Sequence, residues 1–83
     1  MGDRDREIRA EIIRDLGVMA EQASGWKKEF NLVSWNGNNP KYDLRDWSPD
    51  HTKMGKGITL TEKELRRLKE LIDEELRRID GTE

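Results

Sequence analysis

The sequence predicts a small α+β domain, with β-strands in the centre of the chain and one helix at its C-terminal end. Two segments of alternating apolar and polar residues flank the turn-rich run 36–40, which is the pattern of a β-hairpin. A helix-start signal at Thr61 precedes a regular apolar stripe, which predicts an amphipathic helix. The chain has 83 residues and no cysteine, so we expect one small core, no disulfide framework and added stability from oligomerisation.

The N-terminal part of the chain fits two kinds of secondary structure. Residues 1–6 are mostly charged and predict a disordered leader. In residues 7–21, Ile8, Ile12 and Leu16 fit one face of a helix, but the alternation around Ile12 also fits a strand. Gly17 then breaks either element. This spacing alone slightly favours a helix.

Three strands are predicted in the centre. Residues 26–35 alternate in the manner of a strand, and the run Asn-Gly-Asn-Asn-Pro at 36–40 predicts a hairpin loop. Residues 41–47 form the returning strand. A turn at Pro49 then ends the hairpin, and a short strand follows at 58–60.

The two faces of this hairpin differ in composition. One face would carry four apolar or aromatic side chains and form the core: Phe30, Leu32, Tyr42 and Leu44. The other face would be open and display six side chains: Asn31, Val33, Trp35, Lys41, Arg45 and Trp47.

The C-terminal helix has a defined start and end. Thr61 and Glu64 form a capping box, and Gly81 marks the end. The apolar stripe is long for a domain this small, so it could pair with a second copy of the chain. The expected dimer interface consists of Leu68, Leu71, Ile72, Leu76 and Ile79.

Charge and aromatic residues are unevenly distributed. The net charge is −2, but residues 24–60 contain six Lys or Arg against four Asp or Glu, and all five aromatic residues. A basic, aromatic segment between two acidic ends indicates where a polyanion would bind. Bases stack on indole rings while cations hold phosphates, so the open face fits single-stranded nucleic acid. It equally fits a protein interface or plain packing, and spacing alone leaves all three open.

No arrangement of catalytic or metal-binding residues is visible. His51 has no second His and no Cys with which to bind a metal. Asp43 and Asp46 fall on opposite faces of a strand, which excludes them as a catalytic pair. The run Gly55-Lys56-Gly57 lacks the phosphate-loop pattern. We therefore expect no enzymatic activity, cofactor, metal or membrane span, and a cytoplasmic location.

Three central runs resemble a known family. They are GWKKEFNLVSWNG at 25–37, PKYDLRDW at 40–47 and MGKGITLT at 54–61. These runs are similar to the YdbC-like bacterial branch of the positive-cofactor-four (transcriptional coactivator) family. The similarity spans residues 25–65 and extends loosely to 12–79.

The resemblance implies a fold and a function. The fold is a four-stranded, strongly curved antiparallel sheet followed by one helix (ββββα), assembled as a homodimer. Residues 9–21 then form a strand interrupted at Gly17 rather than a helix, the domain spans 7–80, and 81–83 form a tail. The function is binding of single-stranded DNA with little sequence preference, with RNA left open. The alternative is a protein–protein interaction module of the transcription machinery that uses the same aromatic face.

The resemblance also assigns site residues. Trp35 and Trp47 match positions that stack on bases, Arg45 and Lys56 match cationic positions beside the bound strand, and a basic pair starts the second strand. The complete expected site is Trp26, Lys27, Lys28, Asn31, Trp35, Lys41, Arg45, Trp47, Lys53 and Lys56. Transcription or repair proteins are further expected partners, and a bacterial member would be nucleoid-associated. The acidic-serine regulatory region of the eukaryotic relatives is missing from this chain, so their coactivator role does not transfer.

Overall fold

Four strands are followed by one helix along the chain. The computed structural model describes residues 8–81, so the predicted leader at 1–6 and residues 82–83 of the predicted tail lie outside the described residues. The elements are β1 (Ala10–Glu21), β2 (Lys27–Trp35), β3 (Lys41–Trp47), β4 (Met54–Leu60) and α1 (Glu62–Ile79). The strands are neighbours in sequence order, and each pair is antiparallel. The predicted ββββα fold is confirmed.

β1 is a strand, so the helix favoured by its apolar spacing is wrong. It pairs with β2 from Ala10 opposite Trp35 to Glu21 opposite Lys27. Gly17 lies opposite a β2 residue inside this pairing and does not interrupt the strand. Three irregularities occur along the pairing, one of them directly before Gly17. Such bulges bend a strand and increase its twist without ending it.

The turn between β2 and β3 follows the predicted chemistry. Asn36 and Gly37 have φ values of 54° and 78°, and the Asn38 N–H donates to the Trp35 carbonyl at 2.9 Å. Two central residues at positive φ are the pattern of a type I′ hairpin turn. Asn36 also holds the start of β1, since its Oδ1 accepts from the Arg9 N–H at 2.8 Å.

The two faces of the sheet carry the predicted residues, but three of the six side chains predicted to be displayed are buried: Asn31, Val33 and Trp47. Phe30 pairs with Leu44 and Leu32 with Tyr42, so these four share the face on which α1 lies, and they are half-buried. The face predicted to be open instead holds Val33, with no exposed surface, and other fully buried side chains. Among the described elements, α1 approaches only β3 and β4, so these side chains are buried on a face that the helix does not cover.

The helix begins as predicted and then extends beyond the sheet. Thr61 Oγ1 accepts from the Glu64 N–H at 3.2 Å, and a Glu64 carboxylate oxygen accepts from the Thr61 N–H at 2.8 Å. The apolar stripe stays exposed, with Leu76 at 48% and Ile79 at 67%. The radius of gyration is 15.5 Å, against about 12 Å for a compact domain of this length. The helix therefore presents an apolar face that residues 8–81 do not cover.

Candidate nucleic-acid interface

One open groove brings together several of the predicted site residues at the hairpin end of the sheet. Its volume is about 500 Å³, and its lining is Trp35, Asn38, Asn39, Lys41, Arg45 and Thr59. The groove forms because β2, the hairpin loop, β3 and β4 each contribute a side chain to its lining. An indole, two cationic side chains and two amides can accept a base and its phosphate.

Trp35 and Arg45 are stacked within this groove. The guanidinium carbon of Arg45 lies 4.5 Å from the centroid of the Trp35 ring, within the range of a cation–π contact. Arg45 Nε and Nη2 donate to the two carboxylate oxygens of Asp43 at 2.7 and 2.8 Å, and Nη1 donates to the Gly55 carbonyl at 3.1 Å. Most of the donor capacity of Arg45 is therefore used inside the protein, whereas Lys41 is exposed.

Gly57 leaves the space in which Arg45 lies. It is opposite Arg45 in the pairing of β3 with β4. A Cβ at position 57 would lie 2.3 Å from both the Arg45 Cβ and the Leu44 carbonyl oxygen. Sequence reasoning missed the roles of Gly57 and Asp43. The signal for Asp43 was its spacing of two residues from Arg45, which places both side chains on one face of a strand.

Trp47 does not reach the open groove, and the prediction that its ring points outward is wrong. Its side chain is buried with 2% of the residue exposed, and the His51 ring lies 5.5 Å away between ring centroids. His51 Nε2 is 3.0 and 3.1 Å from the two carboxylate oxygens of Glu29. Glu29 is itself buried, and a buried carboxylate requires such partners. The contact between His51 and Glu29 therefore holds the loop 48–53 against Trp47.

Asn31 also lies in the interior rather than on the predicted contact surface. It has no exposed surface, and its Nδ2 donates to Glu29 Oε1 at 3.0 Å. The prediction that Asn31 is displayed on an open face is therefore wrong.

The loop 48–53 is ordered by a cluster of polar contacts around Asp50. Asp50 Oδ1 accepts from the Thr52 N–H at 3.0 Å, from Thr52 Oγ1 at 2.7 Å and from Ser48 Oγ at 2.9 Å. The hydrogen bond from the Thr52 N–H, followed by those from the two hydroxyls, lowers the pKa of Asp50 from 3.8 to about 2. These bonds favour the ionised form.

The remaining predicted cations lie away from Trp35. Lys28 and Lys56 line a separate depression of about 300 Å³, on the side of the sheet that bears Ile58. Lys27 lies between Glu21 and Trp47 in the strand pairing. Trp26 is half-buried before β2, and Lys53 is exposed in the loop before β4. The groove at Trp35 therefore contains three of the ten predicted residues.

Comparison with known proteins agrees with the class that this geometry suggests. A ββββα domain with an aromatic, cationic groove on its sheet has the features of a nucleic-acid-binding module. The family model of the Transcriptional Coactivator p15 (PC4) matches residues 22–71, and the chain belongs to this family. The chain is also 46% identical over 63 residues to an uncharacterized protein of Treponema pallidum (strain Nichols), which covers 76% of this chain and 74% of the relative.

Family membership sets the general function. It supports nucleic-acid binding or a coactivator-like role, in a family named for a coactivator rather than for an enzymatic activity. Within residues 8–81, no helix is both long enough and apolar enough to cross a membrane.

Proposed function

We propose that this protein binds single-stranded DNA with little sequence preference. The observation that carries the proposal is the open groove in which Trp35 lies beside Lys41 and Arg45. Stacking on an aromatic ring contributes ~1–3 kcal/mol per base and is open to every base, because each base has a π-face. The membership of the PC4 family supports the same class of ligand.

Only some of the ten predicted site residues line the groove, and we assign direct contact with DNA to those alone. We assign base stacking to Trp35 and phosphate binding to Lys41, with the two amides of the hairpin loop beside them. Trp47 is covered by the loop 48–53 and takes no direct part while the loop is in this position. Lys28 and Lys56 lie on the other side of the sheet, so they attract phosphates only through the general field of the protein.

A homodimer is part of the proposal. An apolar groove of about 600 Å³ runs between α1 and the sheet, with Phe30, Leu65, Leu68 and Ile72 among its lining residues. The exposed stripe of α1 continues from this groove. A second copy related by a two-fold axis would cover both, and two-fold dimers are the commonest assembly. The dimer would place two copies of the DNA-binding groove on one particle.

The biological setting follows from the resemblance described above. We place the chain in the YdbC-like bacterial branch, on the motifs at 40–47 and 54–61, with a role in transcription or in DNA repair and replication. We expect it in the cytoplasm, associated with the nucleoid in a bacterium. Transcription or repair proteins are proposed as further partners.

Titration with oligo-dT tests the proposal directly. We expect the oligonucleotide to quench tryptophan fluorescence, with the logarithm of affinity falling against the logarithm of salt at ~0.7 per phosphate neutralised. Duplex DNA and RNA of equal length serve as comparisons, and the RNA arm measures whether the 2′-hydroxyl matters. Absence of quenching at low salt, with the chain folded, would refute single-strand binding.

The protein-interaction alternative makes a different prediction for the same surface. If the aromatic face binds a protein, Trp35→Ala should abolish capture of that partner and leave oligonucleotide affinity intact. If it binds single strands, Trp35→Ala should reduce oligonucleotide affinity. Trp26→Phe, outside the groove, is the control for the loss of an indole.

A further inference from the structure

A buried carboxylate lies next to the groove that we assign to DNA, on β3 between the lining residues Lys41 and Arg45. Asp43 is 1% exposed, and it is opposite Asn31 on β2 and Thr59 on β4. A negative charge at this place repels phosphates. Its effect on DNA binding therefore depends on the groups that it contacts.

Asp43 makes its contacts with Arg45. Both of its oxygens accept N–H groups of the guanidinium, at 2.7 and 2.8 Å. Such a bidentate contact fixes the plane of the guanidinium group as well as its position. A third bond, to the Gly55 carbonyl at 3.1 Å, holds the other side of the group. The Arg45 side chain is only 13% exposed, so it has little freedom to turn toward a phosphate.

The fixed guanidinium in turn lies against Trp35. Its carbon is 4.5 Å from the ring centroid, so one face of the indole rests on a group that Asp43 orients. A ring held in this way loses less conformational freedom when a base stacks against it, and such preorganisation increases affinity.

We infer that Asp43 is a positioning residue of the DNA-binding site, which acts through Arg45 to set the orientation of the Trp35 indole. The inference rests on the proposed function. It assigns to a buried acidic side chain a favourable effect on the binding of a polyanion.

The inference and simple electrostatics predict opposite signs for one substitution. By charge alone, Asp43→Asn should strengthen DNA binding because it removes a negative charge. By positioning, it should weaken binding because asparagine cannot accept both N–H groups of Arg45. The matched control is Asp15→Asn. Asp15 is exposed and opposite Asn31 on β1, so its substitution removes the same charge from the same face and leaves Arg45 in place.

The measurement is the affinity of the full chain for oligo-dT at low salt. We expect Asp43→Asn to bind about 5- to 150-fold more weakly than the original chain, the factor carried by one stacked base. Asp15→Asn should bind as tightly as the original chain or more tightly. If Asp43→Asn binds as tightly as Asp15→Asn, the inference is overturned.

A double variant distinguishes positioning from a general loss of structure. If Asp43 acts through Trp35, then adding Asp43→Asn to Trp35→Ala weakens binding no further. Additive losses would count against the inference, because they would show that Asp43 acts elsewhere.

Arg45→Lys provides a second variant, which decides the matter if Asp43→Asn does not fold. Lysine keeps the charge but lacks the planar fork that pairs with a carboxylate and stacks on an indole. We expect it to weaken oligo-dT binding by a similar factor. Unchanged affinity would show that Arg45 acts as a simple charge and would overturn the inference.

Nuclear magnetic resonance of the free protein separates this inference from the proposed function. The indole N–H resonance of Trp35 should shift in Asp43→Asn and stay in place in Asp15→Asn. If the original chain binds no oligo-dT and the shift still occurs, the proposed function fails and the positioning by Asp43 stands. If the resonance does not move, the positioning is wrong whatever the oligonucleotide does.

Discussion

Replacement of Gly57 by alanine would insert a methyl group into the contact between β4 and β3. The added Cβ would lie 2.3 Å from both the Leu44 carbonyl oxygen and the Arg45 Cβ. Carbon atoms in contact are normally about 3.5–4.0 Å apart, so the neighbours would have to move by about 1 Å or more. One of these neighbours is backbone in a paired strand, which cannot yield without loss of its hydrogen bonds.

The expected loss of stability follows from this displacement. Overpacking of a well-filled site lowers the stability by ~1–3 kcal/mol. Alanine also reduces the conformational entropy of the unfolded chain, which raises the stability by ~0.4–1 kcal/mol. We therefore expect a net loss of about 1–2 kcal/mol, which lowers the Tm of a domain of this size by about 4–16 °C. Because Arg45 must shift, the affinity for oligo-dT should fall as well.

Gly55→Ala is the matched control, two residues away on the same strand. Its Cβ would meet the Asp46 Cβ at 3.6 Å, which is an ordinary van der Waals contact. Thermal unfolding followed by circular dichroism at one fixed protein concentration compares the two variants with the original chain. An unchanged Tm for Gly57→Ala would refute the close approach of β4 to Arg45.

Three further predictions concern the helix, the loop and its response to acid. Leu76→Glu places a charge in the exposed stripe of α1 and should convert the dimer to a monomer in analytical ultracentrifugation. The control Lys63→Glu should leave the assembly unchanged, and a monomeric original chain would contradict the proposed dimer. His51→Ala removes a partner of the buried Glu29 carboxylate, so it should lower the free energy of unfolding by ~1–3 kcal/mol and shift Trp47 emission to longer wavelength. An unchanged spectrum and stability would show that His51 does not hold the loop. The pKa of Asp50 is lowered to about 2 in the folded state, below its unfolded value, so its contribution to stability is complete above about pH 4 and is lost as the pH falls through 2. An NMR titration of the Asp50 carboxyl that gives an ordinary value would contradict this.

The central hairpin and the start of the helix could be predicted from the chain because they depend on local chemistry. The alternation of residues 26–35 sets which side chains share a face, whatever else the sheet does. Asn36 and Gly37 tolerate positive φ, so they locate the turn. Thr61 and Glu64 satisfy the first N–H groups of the helix between themselves. Each of these features involves residues a few positions apart.

The identity of β1 and the burial of the two faces depended on contacts between distant residues. The apolar spacing of β1 suits a helix, but pairing with β2 along its whole length makes it a strand, because strand preference depends on neighbouring strands more than on the residues themselves. Trp47 is buried beside the loop 48–53, which His51 holds through its contact with Glu29.

The composition of the groove also depended on contacts between residues that are distant in the sequence. The aromatic and cationic composition of the central segment fitted a nucleic-acid ligand, a protein interface or plain packing, and the family resemblance favoured the first. Which of its residues meet around one groove depends on the pairing of the strands, on the space left by Gly57 and on the pairing of Asp43 with Arg45. Alternation assigns a side chain to a face of the sheet, but only the packing of four strands determines whether that face is open to a ligand or closed upon itself.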